Sequence, residues 1–181
     1  MRVIAGSLKG RRLKAPSWDG LRPTSDKLRE TLFNLLAGRI AGARVLDGYA
    51  GTGAVGIEAI SRGAALVVFV ERDRRAQMLV AENLAHCGVT NGYAIIRASM
   101  TRAIGDLRDA GSTFDLALLD PPYDAPPDAD LEGVAGIIAP DGLVVIEHAR
   151  RRTIAASAGR LMKTREVVSG DSTLTFYTSS F

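Results

Sequence analysis

The sequence predicts an α/β fold: a mostly parallel sheet with helices on both faces, ending in an antiparallel C-terminal hairpin. Three observations carry that expectation. From Ala43 onward, short apolar runs alternate with stretches of helical periodicity, the pattern of βαβ units. The first of these runs leads through a glycine-rich turn into a helix, as in open sheets that bind ligands at their carboxyl edge. Beyond residue 160 the alternation stops, and two strand-like segments flank Gly170-Asp171.

Taken in order, Val3-Ile4-Ala5 and Arg11-Arg12-Leu13-Lys14 read as a basic hairpin joined through Gly6-Ser7-Leu8-Lys9-Gly10. Pro23-Thr24-Ser25 precedes a helix for which Ser25 is a suitable N-cap, and Leu28, Leu32, Leu35 and Leu36 mark its core face. Strands are expected near 43–47, 66–71, 93–97, 114–119 and 142–148, with helices near 53–62, 73–87, 100–109 and 130–138. The closing hairpin spans 161–169 and 173–178. The chain thus divides into a basic N-terminal arm, residues 1–22, and one domain, residues 23–181, without internal repeats or low-complexity tracts.

Asp47 closes the first of the alternating strands, and Gly48-Tyr49-Ala50-Gly51-Thr52-Gly53 leads into the helical run from Ala54 to Ser61. Glycines let a ligand approach the backbone closely, and a helix N-terminus favours negative charge. Glu71 ends the next strand, 20 residues beyond Gly51, where an acid suits the two hydroxyls of a ribose. Gly51, Gly53 and Gly56 also satisfy the dinucleotide pattern G-x-G-x-x-G, so a dehydrogenase using NAD is a competing reading. Asp47, just ahead of the loop, would repel a pyrophosphate but attract a cation. S-adenosylmethionine (SAM) carries an ammonium and a sulfonium, and is favoured on that ground.

The apolar run from Phe114 to Leu119 ends in Asp120-Pro121-Pro122-Tyr123. Proline has no N–H and a fixed φ, so carbonyls here are held outward without a local donor. Together with the Asp120 carboxylate they can accept both hydrogens of an exocyclic amine, while Tyr123 stacks on its ring. The amine lone pair is then left to attack an electrophile. Asp47, Glu71 and Asp120 all fall at carboxyl ends of strands, so the two motifs converge on one edge.

Composition sets the bounds. A chain of 181 residues, 46% hydrophobic, suits one globular domain with its own core. The lone cysteine, Cys87, excludes an internal disulfide, points to a reducing compartment, and reads as small apolar filler near a helix end. No signal-peptide h-region opens the chain and no apolar run is long enough to span a bilayer, so a cytoplasmic protein without membrane partners is expected. His86 and His148 with scattered acids offer no metal-ligand spacing, and no metal is expected. His148 reads as a strand-end histidine bonded to a neighbour such as Glu147, and Trp18 and Phe33 read as packing residues. Nothing suggests a large exposed apolar face, so a monomer is expected. Charge is segregated: residues 1–30 carry a net +5 and residues 148–181 a net +4, which leaves −6 between them in a chain of +3. Basic ends around an acidic middle form a polyanion footprint.

Leu21-Arg22-Pro23-Thr24, Arg29-Glu30-Thr31-Leu32-Phe33-Asn34, Ala50-Gly51-Thr52-Gly53, Asp120-Pro121-Pro122-Tyr123, Val145-Ile146-Glu147-His148 and Gly170-Asp171-Ser172-Thr173-Leu174, read together, resemble the bacterial small-subunit (16S) rRNA guanine-N2 methyltransferases, the RsmD-like family. The resemblance runs from Arg2 through Tyr177, and its Arg-Pro-Thr…Arg-Glu-Thr-Leu-Phe-Asn segment is the distinctive part. It implies a SAM-dependent methyltransferase (Rossmann-like) fold with a seven-stranded sheet. It also implies methylation of one guanine of 16S rRNA, with the small ribosomal subunit or its assembly intermediate as partner.

Carried over by residue, the resemblance puts Asp47, Gly51 and Gly53 around the methionine moiety of SAM and Glu71 on its ribose. Asp120, Pro121, Pro122 and Tyr123 become the catalytic cup, with Asp120 also facing the cofactor. Thr24, Arg29 and Asn34 fall near the mouth. Tyr49 stands where the family commonly has phenylalanine, a swap that keeps the ring. Ser99-Met100 stands where many methyltransferases carry an acid for the adenine amine, leaving Ser99 to bond the adenine and Met100 to pack on it. Arg2, Lys9, Arg11, Arg12, Lys14, Arg22 and Arg29 are the expected RNA contacts. A DNA adenine-N6 or cytosine-N4 methyltransferase and a non-catalytic assembly factor are the rivals. The first usually needs a recognition domain, for which 181 residues leave no room, and the second is disfavoured by the intact acid and glycine set.

Overall fold

The structure is a computed structural model and describes residues 1–18 and 25–179. Its elements are α1 (Asp26–Leu35), β1 (Arg44–Gly48), α2 (Ala54–Ser61), β2 (Leu66–Val70), α3 (Arg74–His86), β3 (Tyr93–Ile96), α4 (Met100–Asp109), β4 (Phe114–Leu119), α5 (Leu131–Ala135), β5 (Ile138–Ala149), β6 (Ser157–Ala158), β7 (Leu161–Ser169) and β8 (Ser172–Ser179). They form one sheet in the order β3-β2-β1-β4-β5-β8-β7-β6. The strands from β3 to β5 pair in parallel, and β5-β8, β8-β7 and β7-β6 pair antiparallel. The described sheet therefore has eight strands against the seven expected, because the two-residue β6 extends its antiparallel edge.

Period-2 alternation distributes side chains between two cores, one on each face. Val45, Val67, Phe69, Leu116 and Leu118 join the core beneath α1 and α2, while Leu46, Val68, Val70, Ala117 and Leu119 join the one beneath α4 and α5. Both faces are covered, which is why these strands read as continuous apolar runs. Ser25 caps α1 as expected, its side chain accepting from the Leu28 N–H at 3.2 Å. Leu28, Leu32 and Leu36 are buried; Leu35 is half-buried.

Two expectations are revised. The helix placed at 130–138 is a short one, ending at Gly136, because Ile138 is already paired with Phe114 at the start of β5. His148 is buried, and its Nε2 lies 2.8 Å from Thr175 Oγ1 on β8, while the Ser172 hydroxyl donates to Glu147 at 3.0 Å. The chain neighbour at bonding distance from His148 is Ala149, whose carbonyl lies 3.1 Å from Nδ1. Cys87 is buried at the end of α3, and burial pushes its thiol up, consistent with a packing role.

The N-terminal arm is a single antiparallel bridge, Arg2 to Arg12, laid across α2 and α3. Val3 and Leu13 enter the main core. The fully buried Glu58 carboxylate accepts from the N–H groups of Ile4 (2.8 Å) and Ala5 (3.0 Å), and the Leu8 N–H donates to Ser61 Oγ at 2.9 Å. Asn83, fully buried on α3, accepts from the Lys14 N–H at 2.7 Å and donates to the carbonyls of Lys14 (3.2 Å) and Thr52 (2.9 Å). The boundary expected at residue 22 lies outside the described residues.

Candidate active site

The carboxyl ends of β1, β2 and β4 open onto a cleft of about 750 Å³, within the size range of small-molecule sites. Asp47, Glu71 and Asp120 all line it, as do Tyr49, Gly51 and the whole of Pro121 to Tyr123. The sheet brings together residues separated by up to 76 positions because parallel strands deliver their C-termini to one edge.

The glycine turn is shaped by close approach. Gly51 and Gly53 have φ of 56° and 77°, in the left-handed region. A Cβ at Gly56 would fall 2.2 Å from Phe69 Cε1, so only glycine lets α2 sit this close to β2. That approach puts the Gly56 N–H 2.8 Å from Asp47 Oδ2. Glu71 accepts from the Gly51 N–H at 3.0 Å and from the Asp73 N–H at 2.9 Å, which fixes its carboxylate beside the loop. Tyr49 is a non-glycine residue at positive φ (63°), and its hydroxyl donates to Asp130, which also accepts from the Thr101 hydroxyl at 2.9 Å. Tyr49 thereby ties the turn to α4 and to the segment ahead of α5.

Asp47 is 3% exposed. Burial pushes its carboxyl up to about 8 against the opposing pull of the Gly56 N–H, and the negative charges of Asp120 and Glu71 add to the rise. A buried acid crowded by two others is a place where a cationic ligand gains most. This donor set fits the ammonium and sulfonium of SAM and disfavours a pyrophosphate.

Around the cup, the Pro122 carbonyl accepts from the Ala125 N–H at 3.0 Å and the Tyr123 carbonyl from the Arg152 guanidinium. The Pro121 carbonyl has no such partner among the described residues. Tyr123 is 46% exposed, its ring presented at the mouth. An acid, a bare carbonyl and an accessible ring are the parts needed to receive an amine-bearing base.

Other sequence-derived candidates lie elsewhere. Ser99 caps α4, accepting from the Arg102 N–H at 3.3 Å, and Met100 is buried in the second core; neither lines the cleft. Thr24 and Arg22 lie outside the described residues. Arg2, Lys9, Arg11, Arg12 and Lys14 are exposed along the arm, Lys14 pairing with Glu82 at 3.1 Å. Arg29 is a correction. Its guanidinium is fully buried, donates to the Arg2 carbonyl at 2.5 Å and to Asp26 at 3.0 Å, and lies 3.9 Å from Glu58, so it braces the arm from beneath rather than meeting RNA. Asn34 is exposed and away from the cleft. Trp18, expected to be packing, lines the cleft with Arg75 stacked 5.1 Å from its ring, whereas Phe33 is buried as expected. Arg72 and Lys27 also line it and carried no sequence signal, and so does the Ser169–Ser172 turn, which contains the expected hairpin turn Gly170-Asp171. Among the described residues no cluster suits a metal ion, and no helix is long and apolar enough to cross a membrane.

Comparison with known proteins adds to this geometry. A family model described as "Conserved hypothetical protein 95" matches residues 1–178. A Bacillus subtilis protein named "Putative rRNA methyltransferase YlbH" is 37% identical over 176 residues, covering 94% of each chain. Escherichia coli "Ribosomal RNA small subunit methyltransferase D" is 41% identical over 123 residues, 68% of this chain and 60% of the relative. Among solved structures, "Putative methyltransferase yhhF from Escherichia coli" superposes with a TM-score of 0.82 at 27% identity, covering 99% of this chain and 98% of the other.

Proposed function

The chain belongs to the RsmD-like family of bacterial small-subunit rRNA methyltransferases, and on that premise we propose that it transfers a methyl group from SAM to the exocyclic N2 amine of one guanine in 16S rRNA. The observation that carries this reading is the convergence of Asp47, Glu71 and Asp120 on a cleft whose mouth bears the unpartnered Pro121 carbonyl and the exposed Tyr123 ring.

The turn at Gly51 and Gly53 would hold the cofactor's methionine end, with Asp47 facing its positive charge and Glu71 its ribose. When bound, SAM supplies an electrophilic methyl on sulfur. The protein's part is positioning and electrostatics. Asp120 and the Pro121 carbonyl accept the two amine hydrogens, which aims the nitrogen lone pair away from them. As nitrogen attacks and positive charge grows on it, both hydrogen bonds strengthen. Asp120, already holding one of those hydrogens, is the acceptor for the proton the methylated amine sheds. Tyr123 stacks on the base, which must be unpaired or turned out of its helix to enter.

The test is transfer of labelled methyl from SAM to small subunits lacking the modification, naked 16S rRNA, large subunits and duplex DNA. Label in small-subunit RNA that digests to N2-methylguanosine is the expected result. Label confined to DNA would retain the amine chemistry and overturn the substrate. No label anywhere with SAM bound would favour an assembly factor.

A further inference from the structure

The cleft that would receive the base is lined by more acids than bases: Asp47, Glu71, Asp73, Asp120, Asp124, Glu147 and Asp171 against Lys27, Arg72 and Arg75. A nucleotide cannot bring its base into such a cup without bringing its phosphates to the rim, where that field repels them. The hairpin tip docks through Leu8 on Ser61 at the far end of α2, while the arm's other end approaches the glycine turn through Asn83, which bonds both Lys14 and Thr52.

Arg150, Arg151 and Arg152 adjoin the opposite part of the rim. They form the turn that follows β5, and all three are exposed. The turn is fastened at two points of the rim. The Arg150 N–H donates to the Asp171 carbonyl at 2.8 Å, and the Arg152 guanidinium donates to the Tyr123 carbonyl. Asp171 and Tyr123 both line the cleft. A further bond, Arg152 N–H to the Ala149 carbonyl at 2.9 Å, closes the turn itself. None of the three arginines is in an ion pair with a described acid, although the cleft beside them is full of acids. The guanidinium fork matches a phosphate bidentately, and its charge persists at any working pH.

We infer that the Arg150-Arg151-Arg152 turn is the phosphate clamp of the active site, holding the RNA backbone next to the nucleotide whose base enters the cup. This rests on the reading of the substrate as RNA. Arg150 and Arg151 supply the free charge. Arg152 links the clamp to the cup through Tyr123, so that a seated backbone and a correctly placed stacking ring go together.

The experiment pairs R150A/R151A with R150K/R151K and follows two readouts: RNA binding against salt, measured without turnover, and methylation kinetics. Removing the cations that neutralise two phosphates of single-stranded RNA should flatten the log–log salt slope by about 1.4, at roughly 0.7 per phosphate. The kinetic loss should fall on KM for RNA rather than on kcat, with SAM affinity retained. The lysine pair should restore the slope, because the charge is kept. An alanine pair with the wild-type slope and KM would overturn the clamp. A flattened slope in an enzyme that methylates no RNA would keep the clamp and overturn the proposed reaction.

Discussion

The parallel and antiparallel halves of the sheet meet along one cleft but place their charges in different surroundings. In β1, β2 and β4 the strands are covered on both faces, and each delivers an acid at its carboxyl end, of which Asp47 is fully desolvated. On the antiparallel side, β7 shows mostly exposed or half-exposed side chains, its Lys163 pairs with Glu166 at 2.9 Å, and the turn after β5 carries the exposed Arg150, Arg151 and Arg152. A charge removed from water acts strongly at short range and tolerates no displacement; a charge left in water is screened and acts by number. On the proposed reading, the buried half orients a reacting centre and the open half gathers a polyanion.

If that division holds, the largest effect belongs to the buried half. Asp120→Ala should lower the rate on the order of 10²-fold or more while SAM still binds, since one positioned polar group at a reacting centre is worth that much. Full turnover in that variant would remove Asp120 from the chemistry. Tyr123→Ala, at the junction of the halves, should weaken base capture by about 1–3 kcal/mol, read as a rise in KM for the RNA.

Asp47 sharpens the comparison through pH. Its carboxyl titrates near 8 in the folded protein against an ordinary value of 3.8, so the folded state holds an extra proton between about pH 4 and 8. Stability of the ligand-free protein should therefore fall as pH rises through that window. A cationic ligand requires the ionised form, so SAM affinity should climb toward pH 8, by at most about tenfold per pH unit. Calorimetric titrations at several pH values should show this slope in the wild type and a flatter one in Asp47→Asn. The smallest effect belongs to the arm: R11A/R12A should flatten the salt slope of RNA binding by roughly 0.7 for each phosphate those arginines neutralise. An unchanged slope would leave them as solvated surface.

The positions of the acids were legible because each terminates an apolar run, and a parallel sheet sends such termini to one edge. The glycine turn was legible for the same reason, its pattern being local. What the sequence hid was set by tertiary packing. Arg29 sits in a distinctive motif among other cations, yet Glu58, 29 residues away, draws it into the interior. Trp18 reads as core filler until α3 places Arg75 against it at the cleft. Ser99 caps α4 and lies outside the cleft lining, a placement no local pattern gives. Gly170-Asp171 was legible as a turn, but the bond its Asp171 carbonyl accepts from the Arg150 N–H depends on tertiary packing.

Asn83 treats the backbone at Lys14 as a neighbouring strand would, meeting both its N–H and its carbonyl, and directs its remaining hydrogen to Thr52 in the glycine turn. The arm is therefore not an interchangeable module. Grafted onto another domain it would need Glu58, Ser61 and Asn83 to travel with it, and an exchange that replaced the arm's backbone here would strand a buried amide with its bonds to Lys14 unmet. Substitutions in the arm and on the inward faces of α2 and α3 should accordingly be inherited as a set, whatever RNA the outer surface comes to recognise.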